Sequence, residues 1–255
     1  MKNLFSVAGK VALVTGGSRG IGRMIAHGLV ANGARTYVTS RKAEACRETA
    51  AELSREGECV ALPADLAKPE DRARVVAELA AKEPALHILV NNAGANWGAP
   101  LAEFPEAGWD KVFDLNLKAV FFLTRDLLPQ LERSGTLADP ARVVNIGSID
   151  GLHVPLLETY SYSSAKAALH HLTRVLARKL APRVTVNAIA PGPFESQMMR
   201  ATLDRFRDSL ERTNPRGRIG EPEDMAGATL FLCSRAGAYV TGAVIPVDGG
   251  ISTCL

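Results

Sequence analysis

The sequence has few of the features that mark secreted, metal-binding or membrane-spanning proteins. It contains four cysteines in 255 residues, widely spaced and without a Cys-x-x-Cys pair, so neither a disulfide framework nor a zinc site is expected. No apolar run approaches the ~18 residues that a membrane span requires. The N-terminal stretch carries one basic residue, Lys2, and is interrupted by Gly9-Lys10, so a signal peptide is not expected. These absences predict a cytoplasmic protein that contacts no membrane.

Net charge and aromatic content are also low. The 30 Lys and Arg residues against 27 Asp and Glu leave a net charge of +3, which is too small to indicate a nucleic-acid partner. Aromatic residues make up 5% of the chain, and Trp97 and Trp109 are expected to be packing residues or pocket walls instead of stacking platforms for bases. Adjacent His170 and His171 point about 100° apart on a helix and cannot ligate one metal ion together. Neither a metal nor a nucleic acid is therefore expected.

Short β-branched runs alternate with longer stretches of helical periodicity. Seven runs have strand character: residues 10–15, 36–39, 59–62, 87–90, 142–146, 184–189 and 243–247. Most are continuously apolar, as parallel strands buried on both faces are, and helical segments such as 20 to about 32 separate them. The pattern predicts an α/β fold with one doubly wound, Rossmann-like parallel sheet of about seven strands and helices on both faces. Since no linker or repeat divides the chain, residues 1–255 are expected to form one domain.

The least regular region is residues 193–218, where Pro193, Pro215 and Gly217 interrupt the alternation. We interpret this segment as a substrate lid, an insertion over the rim of the sheet. Residues 200–218 contain six arginines against three acidic residues, so their net charge of +3 equals that of the whole chain. Apolar residues recur there at roughly helical spacing: Met198, Met199, Leu203, Phe206 and Leu210.

Two interpretations of the lid stay open. Its apolar face could cover an acyl chain while its arginines attract an acidic acyl carrier or the phosphates of coenzyme A. Alternatively, it is a solvated helix whose charges pair with one another, as Asp208 and Arg212 would at a spacing of i and i+4.

The first predicted strand runs directly into a helix through a glycine-rich turn. Glycines at such a turn let the backbone approach a pyrophosphate, and the helix N-terminus offers free N–H groups and a partial positive charge. The spacing G-x-x-x-G-x-G is followed by Arg23-Met24, where the phosphate loop of nucleotide triphosphatases needs Lys and Ser or Thr. We therefore predict a dinucleotide site, the alternative being a tight turn without a ligand. Its residues are Gly16, Gly17, Ser18, Arg19, Gly20, Ile21 and Gly22.

The end of the second predicted strand favours NADP(H) over NAD(H). A site for NAD places Asp or Glu about 20 residues after the glycine-rich turn, to accept a hydrogen bond from the ribose 2′-hydroxyl. Here the stretch reads Thr39-Ser40-Arg41-Lys42. Arg41, helped by Arg19, would pair with a 2′-phosphate that a carboxylate would repel. The alternative is that Arg41 and Lys42 only open a solvated helix.

Tyr162 and Lys166 lie at i and i+4 of a predicted helix and therefore share one face. A free tyrosine has a pKa of about 10 and exchanges protons poorly at neutral pH unless a nearby cation stabilises the phenolate, as Lys166 could. Tyr160 has Ser164 at the corresponding position, which makes Tyr162 the candidate.

Polar residues follow several predicted strands, whose carboxyl ends line the ligand crevice of open α/β sheets. Ser148 follows the fifth strand and could polarise a carbonyl, but it is not in the G-x-S-x-G context of a serine nucleophile. The stretch 91–94, Asn-Asn-Ala-Gly, ends the fourth strand and Asp65-Leu66 follows the third. Taken singly, such residues are also common in turns for local reasons.

The combination resembles the short-chain dehydrogenase/reductase family over nearly the whole chain. The stretches that carry the resemblance are Thr15-Gly16-x-x-x-Gly20-x-Gly22, Asn91-Asn92-Ala93-Gly94, Asn116, Ser148, Tyr162-x-x-x-Lys166 and Pro191-Gly192. The resemblance implies hydride transfer between a nicotinamide and a carbonyl or alcohol.

The same resemblance implies a role for each matching residue. Tyr162 is the general acid, Ser148 holds the substrate oxygen, and Lys166 binds the nicotinamide ribose and lowers the pKa of Tyr162. Asn116 holds a water in the proton relay. The remaining cofactor contacts are Asp65 and Leu66 beside the adenine, Asn92 with Ala93 and Gly94 near the ribose, and Pro191, Gly192 and Ser196 at the nicotinamide. Ser196 stands where Thr is frequent and keeps the hydroxyl.

Residues 11–29, 92–98 and 237–242 resemble NADPH-dependent β-ketoacyl reductases of the rhamnolipid-associated type. This implies a β-ketoacyl thioester substrate, carried on acyl carrier protein or coenzyme A, and a 3-hydroxyacyl product. A reductase of a small alicyclic, steroid or sugar-like ketone is the alternative, and a non-catalytic NADP(H)-binding sensor is another. The family resemblance further implies a homotetramer assembled through the helix of Tyr162 and through the last helix and strand.

Overall fold

A computed structural model describes residues 3–155 and 157–254. Its sheet has seven parallel strands in the order β3-β2-β1-β4-β5-β6-β7. The strands are β1 (Val11–Val14), β2 (Arg35–Val38), β3 (Cys59–Ala61), β4 (Ile88–Asn91), β5 (Ala141–Ile146), β6 (Val184–Pro191) and β7 (Val244–Val247). All seven predicted strands are present, and β1, β4, β5 and β6 are buried along their whole length.

Helices cover both faces of the sheet, as predicted. They are α1 (Gly20–Ala31), α2 (Ala43–Leu53), α3 (Pro69–Lys82), α4 (Glu106–Phe113), α5 (Ala119–Ser134), α6 (Tyr160–Leu180), α7 (Arg200–Thr213), α8 (Pro222–Cys233) and α9 (Ile251–Cys254). Side chains of α1, α2 and α8 pack with Val14 in one core, whereas α3, α5 and α6 pack with Leu13 in the other. Since Leu13 and Val14 are neighbours in β1, their side chains point to opposite faces.

The order of the strands reverses beside β1, which pairs with β2 on one side and with β4 on the other. The loops after β1 and β4 therefore leave the sheet in opposite directions and open a crevice at its carboxyl edge. The carboxyl ends of β5 and β6 lie along the same edge, because all strands are parallel.

One element was not predicted: a π-helical turn, Asp114–Lys118, joins α4 to α5. Such turns insert one extra residue into a helix and often occur at functional sites. This one carries Asn116, which is 1% exposed.

The described residues contain no group of three or more His, Cys, Asp or Glu side chains arranged to hold a metal ion. Within the same residues, no helix is long and apolar enough to cross a membrane. Cys46, Cys59 and Cys233 are buried free thiols, and Cys254 is an exposed one.

Candidate active site

The glycine-rich turn packs directly against the loop that follows β4. A Cβ atom on Gly22 would lie 2.3 Å from Asn92 Nδ2 and 2.3 Å from the carbonyl oxygen of Gly16. Gly16 itself has a φ of +65°, which side chains other than glycine rarely adopt. The two glycines are therefore needed for the backbone to fold this tightly, and they leave its outer surface open to a pyrophosphate.

The N-terminus of α1 is suited to an anion. Its N-cap residue, Arg19, makes no side-chain cap, and its first turn contains no acidic residue. By contrast, α8 begins with a capping box in which Glu221 and Asp224 satisfy the terminal N–H groups. The N–H groups and partial positive charge at the start of α1 thus stay available for phosphate, as a bound dinucleotide requires.

Thr15 and Asn92 connect the carboxyl ends of β1 and β4. The Thr15 hydroxyl accepts hydrogen bonds from the backbone N–H groups of Asn92 (2.8 Å) and Ala93 (2.9 Å) and donates one to the carbonyl of Val90. Asn92 Nδ2 donates in return to the carbonyls of Thr15 (2.8 Å) and Gly16 (3.2 Å). Sequence reasoning placed Asn92 near the ribose but assigned no role to Thr15, whose only signal was its position directly before the glycines.

The region expected to bind a 2′-phosphate has two exposed cations, Arg41 and Lys42, and the carboxylate that follows them in the sequence is Glu44 in the first turn of α2. Arg41 is exposed between β2 and α2, and Ser40 beside it accepts a hydrogen bond from the hydroxyl of Ser18 (2.9 Å). The Arg19 guanidinium donates to the side chain of Gln197, which belongs to the lid segment. Arg19 thus connects the cofactor turn to the lid, and both Arg19 and Arg41 are exposed at this end of the crevice.

Tyr162 and Lys166 lie on one face of α6, as predicted. Lys166 Nζ is 5.5 Å from the centroid of the Tyr162 ring and donates a 2.6 Å hydrogen bond to the carbonyl of Ile146 at the end of β5. Ser148 begins a short 3-10 turn, Ile149–Gly151, and its hydroxyl accepts a hydrogen bond from the backbone N–H of Asp150 (3.1 Å). The three candidate catalytic side chains therefore meet where β5 and α6 approach each other.

Burial shifts the two titratable groups of this cluster in opposite senses. It raises the pKa of Tyr162 to about 12, with Ser148 lowering this pKa and the charge of Asp150 raising it. It lowers the pKa of Lys166 to about 8. The expected lowering of the Tyr162 pKa by Lys166 is not observed, because desolvation dominates and the ammonium is directed at Ile146. Tyr162 consequently keeps its proton at neutral pH, as a proton donor must.

Asn116 braces the loop after β4. Its Nδ2 donates to the carbonyl of Ala95 (2.9 Å), and its Oδ1 accepts from the N–H of the same residue (2.8 Å). These two bonds use one of the two Nδ2 donors and one of the two Oδ1 lone pairs, so the amide keeps a further donor and acceptor for the water expected at Asn116.

His170 lies beneath the turn that carries Ser148. It is 3% exposed, and within the described residues neither ring nitrogen has a hydrogen-bond partner. A Cβ atom on Gly147 would lie 2.1 Å from its Nε2, and one on Gly151 2.8 Å from its Cε1. Burial lowers the pKa of His170 to about 4, so the imidazole is neutral. The imidazole therefore packs against the backbone of the turn at Gly147 and Gly151, in agreement with the packing role expected from the sequence.

The remaining predicted residues border the same crevice. Leu66 is buried and its carbonyl binds Arg72, whereas Asp65 is half-buried beside Asp71. Pro191 ends β6, and a Cβ atom on Gly192 would lie 2.7 Å from Asp248 Cβ.

Ser196 connects the lid to the cofactor turn. A Cβ atom on Gly20 would lie 3.0 Å from Ser196 Cβ, so the beginning of the lid segment lies directly on the glycine-rich turn. The Ser196 hydroxyl accepts a hydrogen bond from the N–H of Met199 (3.2 Å).

A buried polar network behind the site was missed. Asn91 donates to Asn145 (2.9 Å) and to Thr124 (3.2 Å), and Asn145 donates to Thr173 (2.9 Å). It joins β4, β5, α5 and α6, and the available signal was an asparagine inside each of two otherwise apolar strands.

Comparison with known proteins defines the class. A family model described as enoyl-(acyl carrier protein) reductase matches residues 16–252. The chain belongs to the short-chain dehydrogenase/reductase family. The predicted family, fold and oxidoreductase class are thereby confirmed.

Particular relatives narrow the comparison. The chain is 48% identical over 253 residues, covering 98% of this chain and 99% of the relative, to the rhamnolipids biosynthesis 3-oxoacyl-(acyl-carrier-protein) reductase of Pseudomonas aeruginosa. A solved structure of the RhlG/NADP active-site complex from P. aeruginosa matches with a TM-score of 0.95 and 47% identity, covering 99% of this chain and 100% of that chain. The chain is also 36% identical over 257 residues to the 2-dehydro-3-deoxy-D-gluconate 5-dehydrogenase of Dickeya dadantii, covering 97% of each.

Proposed function

We propose that this protein uses NADPH to reduce the keto group of a β-ketoacyl thioester, giving a 3-hydroxyacyl product. The observation that carries the proposal is the meeting of Ser148, Tyr162 and Lys166 at the carboxyl edge of the sheet, beside an open helix N-terminus. The similarity to a 3-oxoacyl-(acyl-carrier-protein) reductase and to an NADP complex supports the substrate and the cofactor.

NADPH, when bound, supplies a hydride to the carbonyl carbon. The residues of the chain have to stabilise the negative charge that then develops on the carbonyl oxygen. Tyr162 donates its phenolic proton to that oxygen, which completes the hydroxyl group. Ser148 Oγ donates a hydrogen bond to the same oxygen and so lowers the energy of the developing negative charge. Lys166 holds the ribose of the cofactor and supplies positive charge as Tyr162 becomes a phenolate.

The cofactor would lie along the crevice at the carboxyl edge of β1 and β4. The glycine-rich turn, residues 16–22, would cradle the pyrophosphate, and Arg41 would bind the 2′-phosphate. Asp65 and Leu66 would flank the adenine, the 92–94 loop the ribose, and Pro191, Gly192 and Ser196 the nicotinamide. Asn116 would act by holding the loop after β4 in place.

Exposed apolar residues support an acyl chain as part of the substrate. Leu152, Val154 and Leu157 follow the turn of Ser148 and are exposed, as are Met198 and Phe206 of the lid segment. The segment that follows β5 and the segment that follows β6 thus each carry an exposed apolar surface. A lid that closes over an acyl chain would remove both surfaces from water.

The lid also carries unpaired positive charge. Arg207 pairs with Glu195 and Glu211, and Arg218 pairs with Asp224. The pair expected between Asp208 and Arg212 is not among the ion pairs of the described residues. Four lid arginines have no ion pair within that part of the chain: Arg200, Arg205, Arg212 and Arg216. We assign them to attracting the acidic carrier or the phosphates of coenzyme A.

A kinetic panel tests the substrate. NADPH oxidation is followed with acetoacetyl and longer β-ketoacyl thioesters, with cyclohexanone, a keto-steroid and a keto-sugar acid, and each substrate is repeated with NADH. The proposal expects the highest kcat/KM with NADPH and a thioester of medium or long chain. A higher kcat/KM with the steroid or the sugar acid would contradict the proposed thioester substrate but not the assignment of NADPH as cofactor.

The lid arginines are tested separately. The triple variant Arg200→Gln, Arg205→Gln, Arg212→Gln should lower kcat/KM for a carrier-bound thioester about tenfold at low salt, and less at high salt, because steering by charge is screened. A matched triple variant at the exposed Arg55, Arg183 and Arg235 should leave it unchanged. Equal effects of the two triple variants would remove the role assigned to the lid.

We further propose a homotetramer. A concave apolar surface formed by the end of α4, the π-helical turn, α5 and α6 is lined by residues that include Phe113, Leu117, Phe121, Leu172 and Val175. Phe121 and Val175 are 40% and 50% exposed, which is unusual for adjacent large apolar side chains. The last strand, β7, is an edge strand and is only half-buried. Light scattering of wild type and of Val175→Asp measures their molar mass in solution, and a monomeric wild type would contradict the proposed tetramer.

The proposed compartment is the reducing cytoplasm. Three of the four cysteines are buried as free thiols. Burial raises the pKa of Cys46 and raises that of Cys59 and Cys233 to about 12, which keeps these thiols protonated and unreactive.

A further inference from the structure

Asp150 introduces a carboxylate beside the catalytic side chains. It is the second residue of the 3-10 turn that Ser148 begins, and its backbone N–H donates to the Ser148 hydroxyl (3.1 Å). The next residue, Gly151, packs on α6: a Cβ atom there would lie 2.8 Å from the backbone of Lys166 and of Ala167. The turn is therefore held between Ser148 and the face of α6 that carries Lys166, which limits where the Asp150 side chain can move.

The Asp150 carboxylate is acted on by one cationic side chain within the described residues, His153, whose charge lowers its pKa against the larger raising effect of burial. It is half-buried, and the structure shows neither a hydrogen bond nor an ion pair to it among residues 3–155 and 157–254. The ammonium of Lys166 on α6 donates its hydrogen bond to the carbonyl of Ile146. On the turn itself His153 is exposed, with its ring facing the carbonyl of Val154, and on α6 the buried His170 is neutral.

The charge of Asp150 acts on Tyr162, the proposed proton donor. Its electrostatic effect raises the pKa of Tyr162, and its own pKa is raised by burial. An ionised Asp150 opposes a second, permanent negative charge beside the keto group, whereas the charge that develops on the keto oxygen is offset by the proton of Tyr162 and the hydrogen bond from Ser148. A substrate that carries its own carboxylate next to the keto group would therefore meet like-charge repulsion in a partly desolvated site.

We propose that Asp150 is a specificity residue that excludes anionic keto acids and admits neutral keto esters and thioesters. A β-ketoacyl thioester presents an uncharged carbonyl beside its keto group, whereas a keto acid or a keto-sugar acid presents a carboxylate. Asp150 would then discriminate between neutral and anionic keto substrates, a distinction that Ser148, Tyr162 and Lys166 cannot make. This inference rests on the proposed ketoreductase function.

The test compares two β-keto substrates of nearly the same size in the same enzyme. Methyl acetoacetate is neutral and acetoacetate is anionic, and the readout is the ratio of their kcat/KM values with NADPH at pH 7.5. Because both substrates are reduced by one active site, effects of a substitution on folding, on cofactor binding or on Tyr162 cancel in the ratio. Asp150→Asn should shift the ratio toward acetoacetate by about tenfold, the size expected for one like charge removed from a partly screened site.

Three further variants make the result decisive. Asp150→Glu keeps the charge and should keep the wild-type ratio, whereas Asp150→Ala should shift the ratio as Asp150→Asn does and replaces that variant if it does not fold. Asp110→Asn removes an exposed carboxylate on α4 and should change nothing. An unchanged ratio in the variants that remove the charge of Asp150 overturns the inference. A wild type that reduces neither methyl acetoacetate nor a β-ketoacyl thioester would instead overturn the proposed function.

Discussion

Lys166 Nζ donates a 2.6 Å hydrogen bond to the carbonyl oxygen of Ile146, the last residue of β5. This bond connects the second turn of α6 to β5, the strand that leads into Ser148. Since Ser148 is two residues beyond the end of β5, this contact between α6 and β5 helps to fix the position of the proton donor relative to the hydroxyl that holds the substrate oxygen.

Replacing Tyr162 by Phe should remove turnover and leave the cofactor bound. The proton that neutralises the product oxygen is lost, so kcat should fall by about 10²–10⁴-fold. The dissociation constant for NADPH, measured by fluorescence titration, should change less than about twofold, since only the hydroxyl group is removed. Tyr160→Phe is the matched control: Tyr160 lies on the same helix with its hydroxyl on Glu158, and its loss should leave kcat unchanged. A non-catalytic sensor would show no turnover to lose.

Replacing Lys166 by Met should stabilise the protein while inactivating it. Burial lowers the pKa of Lys166 to about 8, below the ordinary value, so below pH 8 the folded state carries a buried ammonium that is better solvated after unfolding. Removing it should raise the free energy of unfolding at pH 7 by about 2 kcal/mol, after allowance for the lost bond to Ile146.

The stability gained by Lys166→Met should depend on pH in one direction. Between pH 8 and the ordinary lysine pKa of about 10.4, the unfolded chain binds more protons than the folded one, so wild type gains stability as the pH rises and the difference between the proteins shrinks. Thermal melts from pH 7 to pH 10 measure it. Lys179→Met, an exposed lysine on the same helix, should show no such trend, and a difference that grows with pH would contradict the buried charge.

Replacing Arg41 by Ala should weaken binding of NADPH but not of NADH. A charge-assisted pair between arginine and phosphate contributes about 1.5–3 kcal/mol, so the KM for NADPH should rise roughly 10–100-fold. The KM for NADH should stay within about twofold, because its ribose has no phosphate to lose. Arg47→Ala removes another exposed arginine, on α2, and should affect neither cofactor. An equal loss for both cofactors would place Arg41 outside the 2′-phosphate site.

Gly147 and His170 should be energetically coupled. In Gly147→Ala the new methyl group would lie 2.1 Å from His170 Nε2, and overpacking of this kind costs about 1–3 kcal/mol. The kcat should fall as well, because the turn that carries Ser148 has to move. His170→Ala opens that space, so the double variant should be more stable than the sum of the two single changes predicts, by about 1 kcal/mol.

The control for this coupling is Gly227→Ala on α8. A Cβ atom there has no neighbour within 4 Å, and alanine is the better helix former, so the substitution should be neutral or stabilising. Urea unfolding of the single and double variants provides the free energies, and strict additivity of Gly147→Ala and His170→Ala would show that the two residues do not share the space.

Much of the site was predictable because its residues are local in sequence. Strand and helix periodicity place the glycine-rich turn between β1 and α1, Tyr162 and Lys166 on one helix face, and Ser148 just after β5, and the family resemblance adds their expected roles. The positions of Asn92 at the end of β4 and of Pro191 at the end of β6 follow from the same alternation, because parallel strands bring their carboxyl ends to one edge.

Other features depended on contacts between distant residues. The hydrogen bonds between Thr15 and Asn92 join residues 77 positions apart, and the hydrogen bond between Arg19 and Gln197 joins residues 178 positions apart. Sequence spacing carries no information about such pairs, since it does not specify which loops approach each other. In the lid, the i and i+4 pairing of the solvated-helix interpretation is present between Arg207 and Glu211 instead of Asp208 and Arg212, and Arg207 also pairs with the more distant Glu195.

The sequence by itself determined the class of fold, the cofactor turn and the candidate proton donor, because each depends on a short repeat of residue types along one strand or helix. Only the tertiary structure decided the environment of those groups. Burial by neighbouring elements raises the pKa of Tyr162 and lowers that of Lys166, and the turn that packs on α6 places the charge of Asp150 where it further raises the pKa of Tyr162. Desolvation and long-range charge depend on which elements surround a residue, and no spacing within one element reports that.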